Sequence, residues 1–263
     1  MMKSSMDKPV ALDVLAIAAH PDDAEITCGG LLIKMVRIGR KVGVLDLAAG
    51  EMGTYGDQHT RATEALSAAK IIGLAFRGNA EMPDAAIEHT QENKLRIAQV
   101  IRDTRPELVV LPHWTQRHPD HLACSQLGYD ACFLAGLAKL PIDGEPHRPR
   151  KIIYASYYRN TDYSFLVDIS EVFDQKLRAI AAYESQFGDA SWVEEILKKG
   201  ATGSSVTEAG RKEVFAPGIH IFDLLYSRAR TLGHLAGVQF AEAYTIKENI
   251  LIDDPQKMPV RSI

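Results

Sequence analysis

Two short stretches of this sequence place histidine and aspartate side chains in a turn that contains proline. The first, at residues 19–23, reads AHPDD, and the second, at residues 118–121, reads HPDH. In each stretch, side chains three residues apart at the start of a helix can converge on one point. Imidazole and carboxylate groups are the ligands that a catalytic zinc ion uses. The two stretches together therefore predict one metal site that is divided between distant parts of the chain.

The residue types also predict which side chains bind the metal and which take part in the reaction. His20, Asp23 and His121 are the expected ligands. Asp22 then lies beside the metal, free to take a proton from a bound water, and His118 lies opposite, where it can donate to an oxygen. Zinc lowers the pKa of its water towards about 7 and polarises a carbonyl group, so this arrangement would hydrolyse an amide. Zn²⁺ is the expected metal, although another divalent transition metal such as iron suits the same ligands.

Apolar runs typical of buried strands precede both stretches. Val10–Ala19 leads into the first and Leu108–Leu111 into the second, while Ala75–Gly78 is expected to form a short third strand. Helical spacing follows each stretch, and Asp22 or Asp23 is placed to cap the first helix. The alternation predicts an α/β fold, a Rossmann-like parallel sheet with strand order near 3-2-1-4-5, helices on both faces and C-terminal elements added. Strands one and four are neighbours in that order, so the two stretches should meet.

Length and composition narrow the class of protein. The 263 residues are 46% hydrophobic and 24% charged, which is ordinary for one globular domain over residues 1–263. A net charge of −4 argues against a nucleic-acid partner, and no apolar run is long enough to cross a membrane. Three cysteines without a C-x-x-C pair fit a reducing compartment, so we expect a cytoplasmic protein. The small, polar segment near residues 200–211 is expected to be a mobile loop.

The two stretches make the chain resemble the LmbE-like (PIG-L) family of zinc-dependent N-deacetylases. Members of that family carry AHPDD near the N-terminus and HPDH in the middle of the chain. Within the family, the sequence looks most like the branch that deacetylates N-acetylglucosaminyl malate in bacillithiol synthesis. The resemblance covers most of residues 10–247. The segments that carry the narrower match are Asp46-Leu47, GEMGT at 50–54, Arg61 with Glu64-Ala65, YESQF at 183–187 and GVQFAEA at 237–243.

The resemblance implies a Rossmann-like fold and the same ligand, base and stabiliser roles as given above. It further implies that Arg61 reaches the substrate, where a guanidinium group could grip a malate carboxylate with two hydrogen bonds. Glu51 is a further candidate for substrate contact, and Arg159 a candidate for a second carboxylate contact. Family members place a tyrosine from the C-terminal half beside the oxyanion, and this chain offers His220 there. A homo-oligomer, such as a hexamer, is also implied.

Several alternatives remain open on the sequence alone. The enzyme could deacetylate another N-acetyl sugar, such as an inositol glycoside or a chitooligosaccharide. A dinucleotide-binding domain would use Gly29-Gly30 for the phosphates and Asp46 for a ribose, but the first turn lacks the G-x-G-x-x-G pattern. A non-catalytic protein with a structural metal is the third alternative, and the spare carboxylate of Asp22 argues against it.

Overall fold

The apolar runs of the sequence form the strands of one sheet. The computed structural model describes residues 10–156, 162–188, 190–191, 193–194 and 221–257. Within these ranges the strand order is β3-β2-β1-β4-β5-β7-β6. The strands are β1 Val14–Ala18, β2 Val42–Ala48, β3 Phe76–Met82, β4 Leu108–Pro112, β5 Lys151–Ala155, β6 Phe165–Asp168 and β7 Ala241–Thr245.

The first five strands pair in parallel, and β7 pairs antiparallel with both β5 and β6. The predicted order 3-2-1-4-5 is therefore confirmed, and the C-terminal strands extend the sheet at one edge. β1 lies between β2 and β4, with Val14 opposite both Val42 and Leu108. This register brings the two histidine–aspartate turns to the same edge of the sheet, because each turn follows one of these parallel strands.

Helices cover both faces of the sheet. Residues of α1, α2, α5 and α7 share a core with one face, and residues of α3 and α4 share a core with the other. The helices are α1 Asp23–Arg37, α2 Gln58–Ile72, α3 Gln91–Thr104, α4 Pro119–Leu134, α5 Phe173–Ala181, α6 Glu184–Phe187 and α7 Ile221–Ala236, with 3₁₀ turns at Ser170–Val172 and Pro255–Lys257. No helix in the described ranges is long and apolar enough to cross a membrane.

Burial of β1 on both of its faces explains why its residues are all apolar and do not alternate with polar ones. Val14 and Ala16 belong to the core on the α1 and α2 side, whereas Leu15 and Ile17 belong to the core on the α3 and α4 side. Successive side chains of a strand point to opposite faces, so a strand covered on both faces must be apolar at every position. The strand is buried at all five positions and provides a rigid base for the turn that follows it.

The buried carboxylate of Glu242 connects the C-terminal strand β7 to helices α1 and α5. Glu242 accepts hydrogen bonds from the backbone N–H groups of Gly30 and Leu31, both at 2.8 Å. It also accepts from Lys176 Nζ at 2.6 Å and from the Tyr244 hydroxyl at 2.7 Å. A Cβ atom at Gly30 would lie only 2.8 Å from Glu242 Oε1, so this position in the helix requires glycine. The glycine serves helix packing beneath the site.

Some expectations fall on residues outside the described ranges. These are Arg159, His220 and the loop near 200–211. They stay predictions of the sequence analysis.

Candidate metal centre

The turn between β1 and α1 directs two carboxylates away from the helix that follows. Asp22 has φ 107°, a conformation that is uncommon for a residue other than glycine and that costs on the order of 1–3 kcal/mol. Asp22 occupies the N-cap position of α1, yet its side chain makes no capping hydrogen bond. It accepts instead from Arg61 Nη2 at 3.1 Å, while Asp23 Oδ2 accepts the backbone N–H of His20 at 3.0 Å. The prediction of a side-chain cap was wrong because the site uses both carboxylates.

The turn between β4 and α4 fixes the proton position of His118. His118 is the N-cap residue of α4, and its Nδ1 accepts the backbone N–H of Asp120 at 3.2 Å. Pro119 at the first helical position suits this helix start. Because Nδ1 is an acceptor, a neutral His118 ring carries its proton on Nε2 and can donate from that atom. The ring centroid lies 5.1 Å from that of His20 and 5.0 Å from that of His121.

Three side chains from the two turns meet around one point. Asp23 Oδ2 lies 3.2 Å from His20 Nδ1 and 3.1 Å from His121 Nε2. One ligand atom from each of the three residues lies within 4.8 Å of the others. Ligands about 2.0–2.2 Å from a tetrahedral zinc ion are roughly 3.3–3.6 Å apart. The two nitrogen–oxygen separations come within a few tenths of an ångström of that spacing, so the group fits a divalent metal.

A second group that shares His20 is less suited to a metal. His20, His118 and Asp120 also offer ligand atoms within 4.8 Å of one another. However, His118 Nδ1 already accepts a backbone N–H, and the Asp120 oxygens accept from Ala85 N at 2.8 Å and Ile87 N at 3.3 Å. The Asp120 oxygens thus already hold the backbone of the loop after β3, so this group is engaged in the scaffold.

The charges around the first group favour a cation. Burial would raise the pKa of Asp23, but the neighbouring His121 and His20 hold that pKa well below its usual value. Burial also opposes charge on His20, yet its hydrogen bonds to Asp23 and Asp84 raise its pKa to about 11. The carboxylates thus attract positive charge to this point strongly enough to hold a proton on the imidazole, and a divalent metal would take that position.

Asp22 and His118 have the properties of a base and a hydrogen-bond donor. Burial raises the pKa of Asp22 to about 7, against the opposing effect of the Arg61 guanidinium. A carboxylate that titrates near neutral pH is well matched to general-base work. Burial and the neighbouring His121 lower the pKa of His118, which favours the neutral form of its ring. The Nε2–H group of a neutral His118 ring is therefore available to an oxyanion.

The structure places Arg61 against the candidate base and Glu51 against a neighbouring loop. Arg61 is only 4% exposed, and its Nη2 donates to the Pro21 carbonyl as well as to Asp22. Glu51 lies in the exposed loop after β2, and its Oε1 accepts the backbone N–H of Asp84 at 2.9 Å. Both residues border the site, and both carry structural contacts that the sequence did not predict.

Two carboxylates near His20 were missed by the sequence analysis. Asp84 Oδ1 and Asp120 Oδ2 each lie 3.1 Å from His20 Nε2. The hydrogen bond from His20 lowers the pKa of Asp84 to about 2. A signal for Asp84 was present, since Pro83-Asp84 follows β3 in the way that Pro-Asp pairs follow β1 and β4. The site therefore draws on residues that follow β1, β3 and β4.

A buried polar network lies behind the first turn. Arg77 on β3 donates to both oxygens of Asp46, at 2.8 and 3.0 Å, and also contacts Glu25 on α1. Its Nη2 donates to the Tyr183 hydroxyl at 3.0 Å, and that hydroxyl donates to Glu25 at 3.1 Å. Asp46 is 2% exposed and holds an arginine, so it is not presented to a ribose. With Gly30 also engaged in helix packing, the dinucleotide alternative loses the residues that suggested it.

Comparison with known proteins gives a consistent result. The family model described as PIG-L, GlcNAc-PI de-N-acetylase, matches residues 15–132. The diacetylchitobiose deacetylase of Thermococcus kodakarensis is 34% identical over an alignment 200 residues long, which covers 68% of this chain and 72% of that protein. A conserved protein of Thermus thermophilus has a solved structure with 36% identity and a TM-score of 0.76, covering 92% of this chain and 97% of that one.

A further structural relative shows the limit of what the fold alone implies. The 4-carboxy-2-hydroxymuconate hydratase GalB from Pseudomonas putida superposes with a TM-score of 0.71, covering 92% of this chain and 98% of that one, at 17% identity. At this identity the likeness concerns the fold only. The reaction must be inferred from the side chains of the site.

Proposed function

Because this chain belongs to the PIG-L family of de-N-acetylases and is thus an N-deacetylase, we propose that it removes the acetyl group from an N-acetylglucosamine glycoside in a metal-dependent reaction. The observation that carries the proposal is the convergence of His20, Asp23 and His121 on one point, with two further groups beside them. Asp22 supplies a carboxylate that titrates near neutral pH, and His118 supplies an N–H donor.

The proposed mechanism assigns one task to each group. His20, Asp23 and His121 would hold the metal, which when bound polarises the amide carbonyl and makes water more acidic. Asp22 takes the proton of the attacking water and passes it to the departing amine nitrogen. His118 donates its Nε2–H to the oxygen on which negative charge develops. The water oxygen forms a bond to the carbonyl carbon and the C–N bond breaks, which gives acetic acid and a free amine; at neutral pH these products are acetate and an ammonium group.

For the aglycone, the resemblance favours malate, which would place the reaction in bacillithiol biosynthesis. Arg61 would then grip a malate carboxylate while it also contacts Asp22. The relative named diacetylchitobiose deacetylase supports a second candidate, a chitooligosaccharide. The segments that suggested the malate branch are engaged in the scaffold, since Glu64 accepts from Ser185 N and Oγ at 2.6 and 2.7 Å. These segments therefore do not identify the aglycone by themselves.

A panel of substrates tests this proposal. The metal-replete protein would be assayed for acetate release from N-acetylglucosaminyl malate, an N-acetylglucosaminyl inositol, diacetylchitobiose and methyl N-acetylglucosaminide. We expect release from the panel, with the highest kcat/KM for the malate glycoside, because only that aglycone offers carboxylates to Arg61. Highest kcat/KM for diacetylchitobiose would overturn the malate assignment, and no release from any member would contradict the proposed function.

Three expectations of the sequence analysis remain predictions. These are Zn²⁺ as the native metal, a location in the cytoplasm and assembly into a homo-oligomer such as a hexamer. We expect no nucleic-acid or membrane partner for a protein with this net charge and site.

A further inference from the structure

The loop after β3 brings a carboxylate to the outer nitrogen of a proposed metal ligand. Asp84 Oδ1 lies 3.1 Å from His20 Nε2, and the Asp84 side chain is 9% exposed. We propose that Asp84 is a positioning residue that orients the His20 ring for the metal and ties the exposed loop after β2 to that ring. This inference rests on the metal site of the proposed function and adds a residue to which no role has been assigned.

The geometry of His20 sets the requirement that Asp84 meets. The ring presents Nδ1 to Asp23 at 3.2 Å and Nε2 to Asp84 and Asp120, each at 3.1 Å. A histidine ligand binds a metal through one nitrogen and nearly always donates its other N–H to an acceptor. Two carboxylates facing Nε2 require a proton on that atom, which leaves the Nδ1 lone pair for the metal. The carboxylates therefore select both the tautomer and the ring orientation.

The two carboxylates that face Nε2 have different surroundings. Asp120 is 2% exposed, and its oxygens hold the backbone N–H groups of Ala85 and Ile87. Its loss would release the whole loop after β3, so its contribution to His20 cannot be separated from folding. Asp84 accepts fewer backbone hydrogen bonds, because its Oδ1 faces the imidazole and its Oδ2 accepts the N–H of Met52, at 2.9 Å. Asp84 is thus the position at which the effect on the metal can be measured.

A reciprocal pair of hydrogen bonds joins Asp84 to the loop after β2. Asp84 Oδ2 accepts from Met52 N, and Glu51 Oε1 accepts from Asp84 N, both at 2.9 Å. Residues 51–56 of that loop are exposed at the rim of the site. The pair therefore links the ends of three adjacent strands: His20 after β1, the Glu51 loop after β2, and Asp84 after β3. Glu51 acts in this arrangement by holding Asp84.

Asp84→Asn is the variant that tests the inference. Asparagine keeps the shape of the side chain but removes the charge that strengthens the hydrogen bond from His20. The affinity of the metal-free protein for Zn²⁺ would be measured by competition with a chromophoric chelator. We expect binding about 10–100-fold weaker than in the wild type, the usual effect of losing such a partner. At saturating metal, kcat should fall while KM changes little.

The His89–Asp130 pair provides a matched control on the surface. Asp130 Oδ2 lies 2.9 Å from His89 Nε2, and neither residue contacts His20 or belongs to the ligand group, so Asp130→Asn should leave Zn²⁺ affinity unchanged. Glu51→Gln is a second test variant, because it weakens the loop pair and keeps the Asp84 carboxylate. We expect a smaller loss of Zn²⁺ affinity for Glu51→Gln than for Asp84→Asn.

Three outcomes would overturn the inference. Wild-type Zn²⁺ affinity in Asp84→Asn together with a raised KM would show that Asp84 contacts substrate instead. Unchanged Zn²⁺ affinity and unchanged kinetics in the same variant would show that Asp84 only holds the loop. A loss in Glu51→Gln as large as in Asp84→Asn would assign the effect to loop order. Since metal affinity is measured without substrate, failure of the substrate panel would not affect this test.

Discussion

Replacement of Asp22 with asparagine is expected to lower kcat by about 10²–10⁴-fold, the contribution that a positioned general base usually makes. The side chain lies beside the ligand group, 3.1 Å from Arg61, and its strained backbone is maintained although it provides no helix cap. Asparagine has nearly the same size and can accept from Arg61, but it cannot take a proton from water. Initial rates of acetate release and the metal content of the same preparation would be measured together.

Asp174→Asn serves as the control for this change. Asp174 is an exposed carboxylate of α5 that pairs with Arg178 on the same helix, away from the site. It should retain wild-type kcat and metal content. Turnover near the wild-type rate in Asp22→Asn, with metal bound, would exclude Asp22 as the base. Loss of the metal itself would place Asp22 among the ligands.

Replacement of Lys176 with methionine is expected to lower the free energy of unfolding by about 3–5 kcal/mol, because it leaves a buried carboxylate without its cation. Lys176 is 2% exposed and Glu242 4% exposed, with 2.6 Å between Nζ and Oε1. Glu242 would keep its backbone N–H donors, yet its charge would no longer be balanced by Lys176. Urea denaturation of the metal-free protein measures the loss without a contribution from metal binding.

A variant of the same helix gives the matched comparison. Arg178→Met removes a cation that is half exposed and pairs with Asp174, so it should cost only about 0–1 kcal/mol. Adding Glu242→Gln to Lys176→Met should cost less than the sum of the two single changes, because the unpaired charge is then gone. Equal losses for Lys176→Met and Arg178→Met, or strict additivity in the double variant, would contradict a stabilising buried pair.

The sheet and the metal group could be predicted because each follows from short sequence patterns. Continuous apolar runs identified β1 and β4, and the parallel order made these strands neighbours. Proline and acidic residues that follow each of these strands then predicted that the polar groups of the site lie in the turns after them. Residues spaced at i, i+3 within the two turns supplied a group whose separations suit a metal.

Longer-range contacts could not be predicted in this way. The expected third strand over 75–78 spans Phe76–Met82 in the structure. Polar residues such as Arg77 and Asn79 interrupt its apolar pattern, so its full length could not be recognised from the sequence. Those polar residues bond to groups on β2, Arg77 to Asp46 and Asn79 to the Ala48 carbonyl. Such partners are remote in the sequence, and the spacing of residues along the chain offers no signal for their pairing.

Arg61 shows the same limit at the site itself. From the sequence it is one charge among several on α2, and only the resemblance singled it out. In the structure it is buried beneath the loop after β2, with Gly50 close to its guanidinium group, and it contacts the candidate base. Which groups a substrate would meet therefore depends on loop packing that residue spacing does not encode.

One divalent metal, held by His20, Asp23 and His121, is expected to make this chain a deacetylase. The most direct measurement is a titration of the metal-free protein with Zn²⁺, in which bound metal and acetate release are followed in parallel. We expect tight binding and activity to rise together and to stop at one metal per chain, and a chelator to reverse both. Full acetate release by the metal-free protein, or activity that does not follow the bound metal, would contradict the claim.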